Sequence, residues 1–410
     1  MYAERHTGSM SRRHLRRQFT VSRVRDKMAS CPTFSRLSGL LVSMAIGLVL
    51  AGVTLFWPKA YAMVVEVPPV PQVKVQLAAP VASGDSFVFR FNPTVVPMTW
   101  ETFTIPTTGA APDGIAVLER PGATEIWFAE SGVDRIGRLI YTGTTDYAFQ
   151  EYALPEGSRP LNIAVDGGGG AWFTENGRGY IGYVDGSTGV THEFAISTTN
   201  VAPMDLDIAP DGSIWFTERG TGQIGQLVVT TTDNYRVREF SVGLTDAGLS
   251  GILVEDNDSI WAVLSNYNRL ARLRPSIPRV DRTPPPESVP AYPFRLVRSP
   301  DGLRMWFTEL HGNNVSMRFS STLEFGLRYA VPTVNSRPYD LDVDSTGAVW
   351  FSEQFGGKIG RLVVTTTGTF TEFAVPLPRA RVQGLAVDST DTVWFVADTW
   401  HTVYLPFVTR

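Results

Sequence analysis

Residues 205–227 read Asp205-Leu206-Asp207-Ile208, a turn at Asp211-Gly212, Trp215-Phe216-Thr217-Glu218, and then Gln223-Ile224-Gly225-Gln226-Leu227. Residues 340–362 repeat the plan: Asp340-Leu341-Asp342-Val343, Thr346-Gly347, Trp350-Phe351-Ser352-Glu353, Lys358-Ile359-Gly360-Arg361-Leu362. The tryptophan at the centre recurs as Trp127, Trp172, Trp215, Trp261, Trp306, Trp350 and Trp394, at intervals of 45, 43, 46, 45, 44 and 44 residues. A period of about 40–45 residues is that of a four-stranded propeller blade. Each unit opens with a short apolar strand. Asp-Gly or Thr-Gly then supplies the positive dihedrals of a hairpin turn. The second strand carries the tryptophan, a third carries Ile-Gly, and a fourth alternates, as in Glu193-Phe194-Ala195-Ile196. Alternation suits an outer strand wetted on one face.

The pattern predicts an all-β, seven-bladed β-propeller of four-stranded blades over residues 98–410. One blade cannot bury both faces of its sheet, so seven stack around an axis and the tryptophans fill the layers between them. The last repeat is predicted to stop after its third strand, at residues 402–408. Residues 101–106 read as the missing fourth strand, so an N-terminal strand closes the last blade and removes an exposed edge. The fourth repeat is the most degenerate, with Ala262-Val263-Leu264 after Trp261, and residues 274–293 after it read as a protruding loop.

The 410 residues carry a net charge of −4 and one cysteine, Cys31, which excludes a disulfide framework or a cysteine metal site in the propeller. Residues 1–62 hold ten basic and two acidic side chains, a net +8, so the remainder stands near −12. An acidic body does not suit nucleic-acid binding, which needs basic surface. Leu37 to Trp57 is an uncharged apolar run of 21 residues followed by Ala60-Tyr61-Ala62. Residues 1–62 therefore read as an export signal or an N-terminal membrane anchor, and the protein as extracellular or at the cell surface. Residues 63–97, with six prolines among valines, read as a Pro-rich linker.

The unit Asp-Gly-x-x-Trp-Phe-Thr-Glu-x-x-x-x-x-Ile-Gly resembles the repeat of the virginiamycin B lyase family, also called streptogramin lyases, over about residues 98–410. The resemblance implies a propeller and, in the family's enzymes, opening of a cyclic depsipeptide by elimination at a threonyl ester. It also implies histidines, a nearby glutamate and a magnesium ion in the central cavity. The family's histidine follows a proline, as Pro-His-x-Ile. This chain has Asp113, Leu161, Met204, Ser250, Phe294, Tyr339 and Gln383 at those positions. Two residues earlier, where the family glutamate stands, it has Ala111, Arg159, Ala202, Gly248, Tyr292, Arg337 and Arg381. Elimination needs a group that takes a proton near neutral pH, for which histidine is best suited. No catalytic role therefore passes to a residue of this chain. Beyond residue 62 the histidines are His192, His311 and His401, and His311 alone is expected near a face of the ring.

Two readings follow. In the first, the mouth binds a small molecule, peptide or glycan. An aromatic arc of Tyr292, Phe294 and Tyr339 lies beside a basic arc of Arg159, Arg337 and Arg381, with Asp113 and Gln383 between. In the second, the site is a rewired carbon–oxygen lyase or lactonase-like hydrolase. It would take Mg or Ca on oxygen ligands such as Asp113, Glu119, Asp166, Asp207 and Asp342. The repeated Glu130, Glu175, Glu218, Glu309 and Glu353 read as structural, because a residue repeated in most blades does the same job in each. Their expected partners are backbone amides and arginines of the Arg138 and Arg361 type. Contact with a membrane is expected only through the N-terminal segment, and the protein is expected to be a monomer.

Overall fold

The computed structural model describes residues 84–95, 98–142, 146–283, 291–320 and 326–399. Seven antiparallel sheets of four strands form the blades of a β-propeller. In blade 1 the strands are Pro112–Arg120, Ala123–Glu130, Arg135–Tyr141 and Tyr147–Ala153, running from the axis outward. Blades 2 to 6 repeat this order, with inner strands at Pro160–Val165, Pro203–Ile208, Leu249–Asp256, Pro293–Arg298 and Pro338–Val343.

Blade 7 is closed differently from the sequence expectation. Its inner strands are Ala380–Val387 and Val393–Thr399, and its outer two both come from the N-terminal side. Ser86–Phe91 takes the third place against Val393–Thr399, and Trp100–Thr104 pairs with Ser86–Phe91. Residues 101–104 are thus in the outer strand as expected, but their partner is not residues 402–408, which lie outside the described residues. Ser86–Phe91 falls in the stretch read as a linker. Its Phe87, Val88, Phe89 and Phe91 are all buried, and Phe89 stacks on Phe395 at 5.0 Å. The prolines around it masked a strand with both faces in the core.

The seven tryptophans are buried, six of them almost completely. Each fills the layer between its own blade and the next: Trp350 packs on Phe91, Leu385 and Val393 of blade 7, and Trp394 packs on Ile115 and Ile126 of blade 1. A buried indole removes roughly 150–250 Å² from water, a gross gain of about 4–6 kcal/mol. Each indole N–H also needs an acceptor. Asp166, Asp344 and Asp388 supply one to Trp172, Trp350 and Trp394 with one oxygen and hold the hairpin turn amides with the other.

The Ile-Gly of the third strand has a steric cause. Gly137, Gly182, Gly225 and Gly360 pair across the strands with Phe128, Phe173, Phe216 and Phe351. A Cβ on any of them would meet the phenyl ring at 2.0–2.2 Å. In the degenerate blade 4 both members change together, and Ala262 faces Ala271. The stretch read as a loop there contains that blade's outer strand, Arg279–Arg282; residues 284–290 lie outside the described residues.

The Asp-Leu-Asp of blades 3 and 6 staples neighbouring blades. Asp205 and Asp207 accept the amides of Ile252 and Val254, while Asp340 and Asp342 accept those of Leu385 and Val387.

Candidate functional site

Two turns from each blade build the mouth at the end of the ring where the inner strands begin. The residue before the inner strand is left-handed at Ala111, Arg159, Ala202, Tyr292 and Arg337, with φ between 43° and 55°. Bulky side chains rarely adopt this conformation, and where they do the surroundings impose it. In blade 7 the left-handed residue is Arg379, so Arg381 lies inside the strand, paired with Asp398. The second turn follows the repeated glutamate. Its first residue varies around the ring, repeating only as serine in blades 1 and 4: Ser131, Asn176, Arg219, Ser265, Leu310, Gln354 and Asp398.

These turns enclose a cavity of about 300 Å³. Tyr292, Phe294, Tyr339 and Phe355 give it rings, and Arg219, Arg337 and Arg381 give it cations. Met204, Leu310 and Gln354 fill the wall between them. Arg219 Nη2 donates to Tyr292 Oη at 2.6 Å. The Arg337 guanidinium lies 4.8 Å from the Phe355 ring centre, and its buried Nε has no hydrogen-bond partner among the described residues. Among those residues neither Arg219 nor Arg337 forms an ion pair, whereas Arg381 is held by Asp398, with Nε to Oδ1 at 2.8 Å. The cavity therefore carries positive charge that no ion pair among the described residues neutralises.

Below the mouth the axis is filled. Phe294 and Tyr339 pack at 4.8 Å, with Leu310, Met204 and Tyr292 against them. Tyr339 Oη donates across the channel to Asp113 Oδ1 at 2.9 Å. Burial raises the Asp113 carboxyl above its usual range, against the pull of Arg295. Burial, with Asp113 beside it, pushes the Tyr339 hydroxyl well up. Arg295, almost wholly buried, pairs with Asp205 at 2.7 Å. Burial opposes its charge, but Asp205, Asp340, Tyr339 and Asp113 around it hold its pKa above the ordinary value. Burial moves Asp340 up to about 6. Asn162 also donates to Asp205.

Of the residues singled out from sequence, Tyr292, Phe294, Arg337, Tyr339 and Arg381 meet in one cavity. Asp113 and Gln383 are buried beneath it, Gln383 donating to the Pro112 carbonyl and accepting from Gln354 Nε2 at 3.3 Å. Arg159 is exposed on blade 2 and does not line the cavity; its amide is fixed by Asp134. Sequence reasoning missed Arg219, Leu310, Gln354 and Phe355. Their signal was there: next to a nearly constant glutamate, the following residue changes in every blade but two.

The oxygen-ligand set does not converge. Asp113 serves Tyr339, Glu119 accepts the Ser389 amide at 2.9 Å, Asp166 serves its turn, and Asp207 and Asp342 serve neighbouring blades. Among the described residues no three histidine, cysteine or acidic side chains cluster as a metal site. The carboxylates therefore do not fit a central divalent cation.

The repeated glutamates are buried at the ends of the second strands. Arg138 and Arg361 do not pair with them; they bind Glu125 and Asp344 at the far end of the strands. Glu309 instead accepts from Asn314, Ser316 and Arg328, and Glu175 pairs with Arg178. Glu130 and Glu353 have no hydrogen-bond partner among the described residues. Burial pushes Glu130 up to about 8 and Glu353 to about 7, each with a second carboxylate nearby, Glu151 and Glu372.

His311 is exposed at the rim, its ring 4.6 Å from that of Tyr292. His192 lies on the outer strand of blade 2, against Tyr183, and His401 is outside the described residues.

The sequence matches the virginiamycin B lyase family over residues 96–227 and 188–403. No curated protein matches it. Among solved structures, virginiamycin B lyase from Staphylococcus aureus is similar at 23% identity and a TM-score of 0.60, over 70% of this chain and 94% of that one. A catalytically inactive histidine-to-alanine variant of that lyase with quinupristin aligns at 21% identity and a TM-score of 0.61, over 76% and 99% of the two chains. A putative 6-phosphogluconolactonase from Bacteroides fragilis shares the fold at 11% identity and a TM-score of 0.51, over 72% and 95%. With its seven matching blades and a family match spanning most of its length, the chain belongs to the virginiamycin B lyase family.

Proposed function

We propose that this propeller binds an anionic small molecule, or the anionic end of a larger ligand, in the mouth between blades 3, 5, 6 and 7. The observation that carries the reading is the pair Arg219 and Arg337, two guanidinium groups without carboxylate partners among the described residues, in a cavity walled by four aromatic rings. Guanidinium forks match carboxylate or phosphate, and rings take a planar or apolar body. The test is calorimetric titration with 1-naphthoate, a planar carboxylate. Arg337→Ala is expected to weaken it about tenfold, the cost of one charge-assisted contact. Unchanged affinity in Arg337→Ala would overturn the reading.

Linearisation of a streptogramin B antibiotic is not expected. Tyr339, Phe294 and Met204 stand in the mouth where the family histidine would, and losing a positioned base costs about 10²–10⁴ in rate. Incubation with a streptogramin B and magnesium, followed by mass spectrometry, checks this. Turnover comparable to an authentic lyase would assign the base elsewhere, with His311 at the rim the first residue to replace. The leader supports export. The mature chain is expected to begin near Met63, and its recovery only in membranes with the leader intact would support an anchor.

A further inference from the structure

The side chains of the mouth are rich in hydrogen-bond donors and poor in acceptors. Of the ten that line it, none is acidic and three are arginines. Arg381 is matched by Asp398, whereas Arg219 and Arg337 have no ion pair among the described residues, so two positive charges remain. Tyr292 Oη accepts from Arg219 at 2.6 Å, which leaves its own O–H to donate. The other polar groups are engaged elsewhere: Tyr339 Oη donates to Asp113 and Gln354 Nε2 to Gln383, while Gln354 Oε1 is buried out of a ligand's reach. The rings have their own places. Phe355, 48% exposed, and half-buried Tyr292 stand at the rim, and Phe294 packs on Tyr339 beneath them. Each unpaired cation is fixed beside a rim ring, Arg337 against Phe355 at 4.8 Å and Arg219 on the Tyr292 hydroxyl. A volume of about 300 Å³ is at the low end for small-molecule sites, with room for one or two fused rings and an anionic head.

We propose that the ligand of the mouth is a phosphate monoester of an aromatic body of one or two rings, its two negative charges shared by Arg219 and Arg337. The proposal rests on the mouth binding an anion and adds the charge and the class of that anion. A phosphate monoester at neutral pH carries close to two charges and presents three acceptor oxygens. It balances both guanidinium groups, and its oxygens accept their N–H groups and the Tyr292 O–H. A carboxylate or a sulfate ester brings one charge and leaves one guanidinium unneutralised. A sugar body brings O–H donors to walls that are themselves donors, so its hydroxyls give up water without finding acceptors. An aromatic body has no such groups to satisfy, and it covers the rim rings.

The test is calorimetric titration of the full chain at about pH 8, where the phosphate ester is a dianion. The probes are 1-naphthyl phosphate, 1-naphthyl sulfate, glucose 6-phosphate and 1-naphthoate. The naphthyl phosphate and sulfate share a body and a tetrahedral head and differ by one charge. The phosphate is expected to bind at least about tenfold tighter than the sulfate, the worth of one more charge-assisted contact. It is also expected to bind at least about tenfold tighter than glucose 6-phosphate, which keeps the phosphate and brings hydroxyls. Arg219→Gln and Arg337→Gln, measured separately, should each cut the preference for phosphate over sulfate to below about threefold. Equal affinity for the two esters, with 1-naphthoate binding that still depends on Arg337, refutes the two-charge assignment and leaves the mouth standing. A preference that survives both substitutions refutes it as well, because the second charge is then read elsewhere. Glucose 6-phosphate binding as tightly as 1-naphthyl phosphate refutes the aromatic body. If none of the four anions binds, the mouth and the proposal fall together.

Discussion

Thermal stability should fall between pH 5 and pH 8.5, and Glu130 should account for a measurable part of the fall. Its side chain is fully buried, neither oxygen has a partner among the described residues, and Glu151 adds a second negative charge. Burial, the larger cause, and Glu151 raise its carboxyl from 4.5 to about 8. The folded state therefore holds a proton that the unfolded chain releases above 4.5. Stability from this group is fully present below 4.5, declines as pH rises, and is lost once pH passes about 8. At 1.36 kcal/mol per pH unit, ionising this group in the folded state costs at most about 5 kcal/mol, an upper bound because an admitted water would solvate it. A third of that would lower the melting temperature by about 3 °C in a domain of this size. Glu353 moves up to about 7 in the same direction, and Glu175 and Glu218 are also pushed up by burial. The assay is the melting temperature of wild type and Glu130→Gln at half-unit steps from pH 5 to pH 9. Glutamine keeps the shape and cannot ionise, so any pH-independent cost cancels in the slope. The variant is expected to have the flatter profile and to gain on wild type as pH rises. A wild-type melting temperature that is constant or rises from pH 5.5 to pH 8.5, or equal slopes for the two proteins, would refute the reasoning.

Three further outcomes follow from the packing. Gly360→Ala should cost roughly 1–3 kcal/mol, because its Cβ would meet Phe351 at 2.0 Å; combining it with Phe351→Ala, the pairing blade 4 already has, should cost less than the sum of the two changes in chemical denaturation. Arg295→Met should cost roughly 3–5 kcal/mol, since Asp205, Asp340 and Asp113 then lose their buried cation; a change under 1 kcal/mol would mean the cluster neutralises itself by protonation. Deleting residues 84–92 should leave Val393–Thr399 as an unpaired edge and give an insoluble product, and a soluble monomer would show that other residues can take the third place of blade 7.

The repeat made the ring legible because blade geometry is written in local residues: a turn pair, an indole, a phenyl facing a glycine. The closure was harder. Ser86–Phe91 has no tryptophan and no turn motif in register, and the prolines around it argue for a linker; it pairs locally with Trp100–Thr104, but its inner partner lies about 300 positions later. The mouth was half legible. Tyr292, Phe294, Arg337, Tyr339 and Arg381 were found because they occupy the positions before and at the start of the inner strands. Arg219, Leu310, Gln354 and Phe355 come from the opposite turn, and which turns converge is a property of the closed ring. Arg159 shares Arg337's place in the repeat yet lies outside the cavity, because equivalent positions in a ring face different neighbours. Asp207 and Asp342 looked like ligands because the backbone amides they hold belong to the next blade, which a linear reading does not bring near.

Closure through Ser86–Phe91 has a consequence for synthesis. Asn92 bonds to the carbonyl of Thr390, 298 positions away, and the strand beside it needs residues 393–398 as its partner. Ser86–Phe91, though it can pair at once with Trp100–Thr104, therefore waits longest for its inner partner. Until translation passes residue 399, three phenylalanines of Ser86–Phe91 have no core to enter, while blades 1 to 6 can already form behind them. The cost of bringing such distant ends together grows only with the logarithm of the separation, so the stacked blades, by holding the two ends close, supply most of the closure. A chain released short of residue 393 would end as an open arc with a sticky apolar ribbon at each end, which makes termination shortly before Val393 more damaging than the few missing strand residues suggest.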